Sequence, residues 1–230
     1  VNVCLEEGVS KMLFVSSIGA LGRAVTKGLV DENTHFQASK KNSVYSRSKY
    51  EAEKEVWRGQ AEGLNVVVVN PAIVVGPGDW RKGSPQVFQT MAEGLKFYSS
   101  GMNGFIDVND VARIVIHLMD SDYSGERFIL STENVSYRQF FTWMALAMNM
   151  EPPHIPANQF LSSVGWRWLK AKGWLTGKRS GITRETAKTA NQVYRYSNHK
   201  LIRELPFSLT PVKESVEQTA RLFLLDQNKG

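Results

Sequence analysis

The chain of 230 residues contains one cysteine, Cys4, so no disulfide can close within it. No Cys/His cluster has metal-site spacing, and the scarcity of cysteine makes the cytoplasm the default compartment. The histidines, His35, His117, His154 and His199, are scattered, which leaves a histidine-based mechanism without support. No apolar run approaches the roughly 20 residues of a membrane span, and no signal peptide is visible. Zinc-finger spacing and aromatic RNA-binding signatures are both missing, so no nucleic-acid partner is expected. Internal repeats and low-complexity segments are also absent. The chain opens on Val1 rather than Met, and VNVCLEEG reads as the end of a helix with Gly8 as its stop. A preceding segment is therefore expected.

What is present describes a globular chain. Hydrophobic residues make up 42% and charged residues 22%, a balance that can bury a core. The net charge of +6 favours anionic partners such as nucleotide phosphates. KMLFVSS reads as a buried strand over Met12–Val15, ending in two serines. Val44 to Gln60 reads as a helix. LNVVVVNP, Leu64 to Pro71, is a strand whose continuous apolar character suits a parallel sheet covered on both faces. Strand, helix, strand is a βαβ unit. Ile73 to Pro85 reads as a turn-rich loop, followed by a helix over Pro85 to Gly94. A short extended piece then leads to a helix ending near Met119, with Asn109 or Asp110 as its cap. ERFILST, Glu126 to Thr132, reads as a strand and Ser136 to Met150 as an amphipathic helix. Pro152, Pro153 and Pro156 mark a linker. Helices are expected over 158–172, 184–191, 198–205 and 211–225, with VYRYS extended among them. Two strands read as parallel and fully buried, fewer than a doubly wound sheet needs.

Tyr-x-x-x-Lys occurs three times, as Tyr45/Lys49, Tyr50/Lys54 and Tyr196/Lys200, so the spacing alone distinguishes nothing. Helical periodicity does. The face carrying Tyr45 and Lys49 continues through Ala52 and Val56, and is expected to be covered. The face of Tyr50 and Lys54 continues to Trp57 among Arg47, Glu51 and Arg58, and is expected to be solvated. Tyr196 and Lys200 straddle a strand-to-helix junction at Asn198. Tyr45/Lys49 is thus the pair suited to a dry site. A phenol is too weak an acid to work readily near neutrality, and a nearby ammonium favours its ionised form. Such a tyrosine can give a proton to a carbonyl or take one from an alcohol. Ser16 and Ser17 stand at the end of a buried strand, where open α/β sheets place their sites, and a hydroxyl there could hold the reacting oxygen.

KMLFVSSIGALG, YSRSKYEAEKEV, VVVVNPAIVVGPGD and GFIDVNDVARIVIHLM, in that order, resemble the extended short-chain dehydrogenase/reductase family, also known as the NAD-dependent epimerase/dehydratase family. ITRETAKTA, VYRYSNHKLIRELPF and TPVKESVEQT extend the likeness, which looks most like the dihydroflavonol reductase and 3β-hydroxysteroid dehydrogenase subgroup. The resemblance implies the C-terminal half of a Rossmann-like, doubly wound parallel α/β sheet plus a mainly helical substrate-binding lobe. Residues 1–80 would be the partial Rossmann portion and 81–230 the lobe, with 105–132 returning to the core. It implies NAD or NADP as cofactor, and hydride transfer between it and a carbonyl or alcohol on a small-molecule substrate. Tyr45 would be the acid/base. Lys49 would favour its phenolate and bind the nicotinamide ribose. Ser17 would hold the substrate oxygen, with Ser16 beside the cofactor. Pro71, Ala72, Ile73 and Val74 would line the nicotinamide. A homodimer through the Tyr-Lys helix is implied for the complete protein. The family's opening strand and Gly-x-x-Gly-x-x-Gly turn, which cradles the pyrophosphate, do not occur in these residues. The chain by itself is therefore expected to bind cofactor poorly and to expose a sheet edge. A nucleotide-sugar epimerase or dehydratase and a non-catalytic binding module are the competing readings.

Some features stand outside that set. Phe160 to Arg179 mixes three tryptophans with five basic residues. It reads as a helical lobe surface, or as a weak membrane-surface contact. Arg81 and Lys82 could meet an anionic group but fit a solvated loop. Asp107 and Asp110 are expected to fix a loop and cap a helix rather than to form a carboxylate pair.

Overall fold

The computed structural model describes residues 1–22, 28–39, 42–157 and 191–228. The helix expected over 158–172, the basic tryptophan stretch over 160–179 and all but the last residue of the helix expected over 184–191 lie outside them. The elements in chain order are α1 (Asn2–Glu6), β1 (Met12–Val15), α2 (Val44–Ala61), β2 (Val66–Pro71), β3 (Ile73–Val75), α3 (Gln86–Ala92), β4 (Phe97–Ser99), β5 (Met102–Asp107), α4 (Val108–Asp120), β6 (Glu126–Leu130), β7 (Glu133–Ser136), α5 (Tyr137–Ala147), β8 (Ile155–Ala157), α6 (His199–Glu204) and α7 (Val212–Gln227). The chain forms two compact units. One comprises Val1–Val74, Gly104–Glu133 and Arg195–Thr210; the other comprises Val75–Asn103, Asn134–Tyr194 and Pro211–Gly230.

The first unit is built on a parallel sheet in the order β1-β2-β6. Met12 pairs with Val66 and Val15 with Val69, while Val67 pairs with Glu126 and Pro71 with Leu130. Every residue of β2 is buried. Side chains alternate across a strand, and the two helical layers use that alternation. Val67 and Val69 join Ile114 and Leu118 of α4 and Leu201 of α6 in one core cluster. Val66 and Val68 join Val56 of α2, with Cys4 and Leu5 of α1 packed against them. Four successive valines thus serve two cores, as the unbroken apolar run requires. At about 1.5–3 kcal/mol for each large aliphatic side chain taken from water, the four valines are a substantial part of this unit's burial.

β6 is a third parallel strand, against the two expected. Its run is obscured in sequence because Glu126 and Arg127 come first. Their charges are met in the structure: Lys200 Nζ lies 2.5 Å from Glu126 Oε2, and the Arg127 guanidinium pairs with Glu53. Two other local expectations also shift. Ile73–Val75 is a strand rather than the start of a loop. The cap of α4 is Asp107, whose side chain accepts from Asn109 N at 2.7 Å. Asp110, buried one turn in, accepts from Thr210 N at 2.7 Å and so fastens the chain beyond α6.

The second unit is mainly helical. Phe88, Met91, Phe140, Met144, Val216 and Phe223 are among its buried side chains. Trp80 meets Phe223 edge-on at 5.1 Å and donates from Nε1 to Asp226 at 3.1 Å. β4 and β8 pair in parallel, so part of the proline-rich linker is a short strand. Among the described residues no helix is long and apolar enough to cross a membrane, and no His, Cys, Asp and Glu group could hold a metal ion.

Candidate active site

The C-terminal end of β1 carries the two serines, and both are buried. Ser16 N donates to Val69 O at 2.8 Å, continuing the ladder one residue past β1. Ser17 opens a single 3-10 turn, Ile18–Ala20, and its Oγ accepts from Gly19 N at 3.1 Å. The hydroxyl of Ser17 is thereby fixed by its own turn. The hydroxyl of Ser16 points the other way and donates to Glu53 Oε2 at 2.6 Å.

Helix α2 presents the tyrosine and lysine. Ser43 caps it, accepting from Ser46 N at 3.0 Å, so Tyr45 stands in the first turn and Lys49 in the next. Lys49 Nζ donates to Val15 O at 3.4 Å and lies 5.9 Å from the centroid of Phe14. That ammonium is therefore held over the last residues of β1. Gly19 joins the remaining groups. A Cβ placed on it would sit 3.3 Å from Tyr45 Cε1, 3.4 Å from Ser17 Oγ and 3.4 Å from Ser46 Oγ. With no side chain at Gly19, the Tyr45 ring and the Ser17 hydroxyl face each other across that point without having to give way. Ser17, Tyr45 and Lys49 thus gather at one end of β1, although α2 begins 29 residues after its last strand residue.

The covering of α2 differs from expectation. Tyr45 is 57% exposed, and Ala52 is also exposed. The buried positions are Glu53, Val56 and Gly59, so the packed face is turned from the one that Tyr45 begins. Tyr50, expected in solvent, is half-buried and stacks on Phe36 with ring centroids 4.2 Å apart. The aromatic partner comes from the preceding loop, which helical periodicity cannot see. Tyr196 is buried at a bridge to Val30, and Lys200 donates to Arg127 O at 2.7 Å, so the third Tyr-x-x-x-Lys is part of the scaffold.

The stretch after β2 is held by β6. Ala72 N donates to Leu130 O at 2.9 Å. Pro71 and Ala72 are buried, while Ile73 and Val74 are half-buried, with Val74 packed against the core cluster. Gly104 lies beside them: a Cβ there would stand 2.6 Å from Ser131 Oγ and 3.2 Å from Ala72 Cβ.

Glu53, Asn70 and Arg127 escaped the sequence reading. Glu53 is 1% exposed. Besides Ser16 it receives Asn70 Nδ2 at 2.9 Å, Trp57 Nε1 at 3.1 Å and the Arg127 guanidinium. Asn70 Nδ2 also donates to Ser17 O at 2.9 Å. One signal was available: Glu53 shares a helical face with Val56, three residues on, despite its charged neighbours. The Asn of Asn-Pro, read as a strand stop, is an internal ligand of the serine turn.

Comparison with known proteins bears on the family and the fold. The sequence model of the NAD dependent epimerase/dehydratase family matches residues 1–130. A putative dihydroflavonol 4-reductase of Synechocystis is 25% identical over 236 residues, covering 98% of this chain and 66% of that protein. Cinnamoyl-CoA reductase 1 of Petunia hybrida is 27% identical over 241 residues, covering 100% of this chain and 63% of that protein. The chain thus spans about two thirds of the length of these relatives. In fold it is similar to a nucleoside-diphosphate-sugar epimerase from Pseudomonas aeruginosa, with a TM-score of 0.79 at 20% identity over 98% of this chain and 70% of the other.

Proposed function

The chain belongs to the NAD dependent epimerase/dehydratase family, and from that premise we propose that it is the catalytic part of an NAD(P)-dependent reductase or dehydrogenase. Its substrate is a small or apolar carbonyl or alcohol, and its compartment the cytoplasm. The observation that carries this reading is the convergence of Ser17 and Tyr45 on Gly19, with Lys49 anchored over the end of β1. The arrangement lies where parallel strands end, the ordinary place for a nucleotide cofactor in such sheets.

The residues present fit the nicotinamide half of a dinucleotide. Gly19 leaves room beside Tyr45, and the half-buried Ile73 and Val74 offer an apolar wall at the neighbouring strand end. A bound nicotinamide supplies or accepts the hydride. In the direction of reduction, Tyr45 Oη gives its proton to the substrate oxygen while the C–H bond forms at the former carbonyl carbon. Ser17 Oγ, with its own oxygen engaged by Gly19 N, is free to donate its proton to that same oxygen and hold it in place. Lys49, held over the end of β1 by Val15 O, would bind the ribose hydroxyls of the nicotinamide half. Of the relatives that align with nearly the whole chain, two are named as reductases and one as a UDP-glucose 4-epimerase, so the balance of names leans toward a carbonyl substrate and the nucleotide sugar stays as the second reading.

Tyr45→Phe in the active protein tests the assignment. Turnover should fall by at least the 10²–10⁴-fold associated with general acid–base catalysis, while NAD(P)H binding measured by calorimetry is retained. Unchanged turnover would refute it. A panel of ketosteroids, flavonoid-like ketones and nucleotide sugars separates the reductase from the epimerase, since only the epimerase acts on a diphosphate-linked sugar with no net consumption of cofactor.

A further inference from the structure

Proton transfer as described gives no part to Glu53, yet it is the most fully engaged carboxylate near the site. Oε2 accepts from Ser16 Oγ at 2.6 Å and from Asn70 Nδ2 at 2.9 Å; Oε1 accepts from Trp57 Nε1 at 3.1 Å and from the Arg127 guanidinium. Ser16 stands at the end of β1, Asn70 in β2 and Arg127 in β6. A single side chain of α2 therefore reaches all three parallel strands. Trp57 closes the cluster from above, with the Arg127 guanidinium carbon 5.4 Å from its ring centroid.

Stability does not explain a carboxylate at this place. A buried ion pair loses so much hydration that well-packed apolar residues commonly serve as well or better. What an apolar filling lacks is direction, and direction is what these bonds supply. Two of them lead to the serine turn. Ser16 Oγ is tied to Glu53 directly. Asn70 Nδ2 is shared between Glu53 Oε2 and Ser17 O, at 2.9 Å each. The same helix carries Lys49 one turn earlier and Tyr45 one turn before that, about 6 and 12 Å along the axis. Glu53 thereby fixes the rotation and height of α2 against the turn that holds the Ser17 hydroxyl.

We propose that Glu53 is a positioning residue that sets the separation of Tyr45 from Ser17, acting through Ser16 and Asn70. This rests on the reading of Tyr45 as acid/base. The carboxylate is required for its two acceptor oxygens: one faces Arg127 and Trp57, and the other holds the serine turn. Glutamine can offer only one acceptor and must turn an NH₂ group toward either donor pair.

The test compares Glu53→Asp, Glu53→Gln, Ser16→Ala and Tyr45→Phe in the active protein, with kcat, KM, thermal midpoint and the solvent deuterium isotope effect on kcat measured for each. Glu53→Asp keeps the charge but withdraws it by one methylene, and a misplacement of about 1 Å can cost on the order of 10²-fold in rate. Its kcat should fall tenfold or more on that scale, with KM for cofactor held. The solvent isotope effect should rise, because a misaligned donor makes proton transfer limiting. Ser16→Ala should show the same signature in milder form, and combined with Glu53→Gln it should add little further loss. Should Glu53→Gln or Glu53→Asp fail to fold, Ser16→Ala carries the test alone, since it leaves the Arg127 pair intact. A lowered thermal midpoint with kcat per folded molecule and isotope effect unchanged would overturn the proposal. Tyr45→Phe separates the two levels: if it keeps turnover, the site reading itself fails, whereas if it loses turnover while Ser16→Ala and Glu53→Asp do not, positioning alone fails.

Discussion

Gly19 stands in the 3-10 turn after β1 and Gly22 just beyond it, and the absence of a side chain has a different consequence at each. At Gly19 an added Cβ would meet Tyr45 Cε1 at 3.3 Å and Ser17 Oγ at 3.4 Å. These neighbours can yield by a few tenths of an ångström, and the half-exposed Tyr45 ring yields most easily. Gly19→Ala should therefore leave the fold intact, and by restricting the unfolded chain it can add about 0.4–1 kcal/mol. Turnover should nevertheless fall, because the phenol is pushed from the serine. At Gly22 the added atom would lie 1.8 Å from His35 O, a backbone atom. No rotamer change relieves that contact. Gly22→Ala should be destabilising by about 1–3 kcal/mol or more, the range of overpacking. Denaturant melts and kcat measured on both variants check the contrast. Equal loss of activity with equal loss of stability in the two would show that Gly19 does no more than close the turn.

α2 is the element on which the site depends, and its first turn holds both the cap and Tyr45. Ser43→Ala removes the acceptor for Ser46 N and should cost about 1 kcal/mol, typical for a lost N-cap. Fraying there would also loosen Tyr45, so kcat should drop more than the stability change alone predicts; a loss of stability with kcat unaltered would argue against that coupling. The bounds of α2, and of β1 and β2 before and after it, were readable from the chain, because long periodic or continuous apolar runs carry their own signal. Three-residue strands such as β4 and β8 carry too few residues to show a period. Its covered face was misread for a related reason. Periodicity groups residues by face but does not say which charged face finds a buried partner. Glu53 is neutralised by Arg127, 74 residues onward, and Tyr50 is covered by Phe36 from a loop. Both partners are products of tertiary packing, and no local pattern around α2 announces them. Ser17, Tyr45 and Lys49 were legible as candidates, since strand-end serines and a helical Tyr-Lys pair are local features. Their convergence at Gly19 was not.

Across the whole molecule, pH offers a test of packing that does not depend on the reaction. Burial pushes the Tyr137 phenol above its ordinary value of 10.0, and the charge of Tyr194 acts in the same direction, while the hydrogen bond from Asn103 opposes them. That bond runs from Asn103 Nδ2 to Tyr137 Oη at 3.2 Å. The folded protein thus keeps this proton to a higher pH than the unfolded chain does. Its contribution to stability is fully present below about pH 10, where the phenol is protonated in both states, and is lost as pH rises from there through the folded value. Thermal midpoints recorded from neutral pH to beyond pH 10 should fall at the alkaline end. Tyr137→Phe keeps the ring but removes the titrating group and one hydrogen bond. Its midpoint should be lower by a nearly constant amount at neutral pH, and its decline in the alkaline range should be shallower than that of the unaltered protein. Parallel curves for the two would mean that the phenol is hydrated in the folded state, and that the contact of Tyr137 with Asn103 is looser than its geometry indicates.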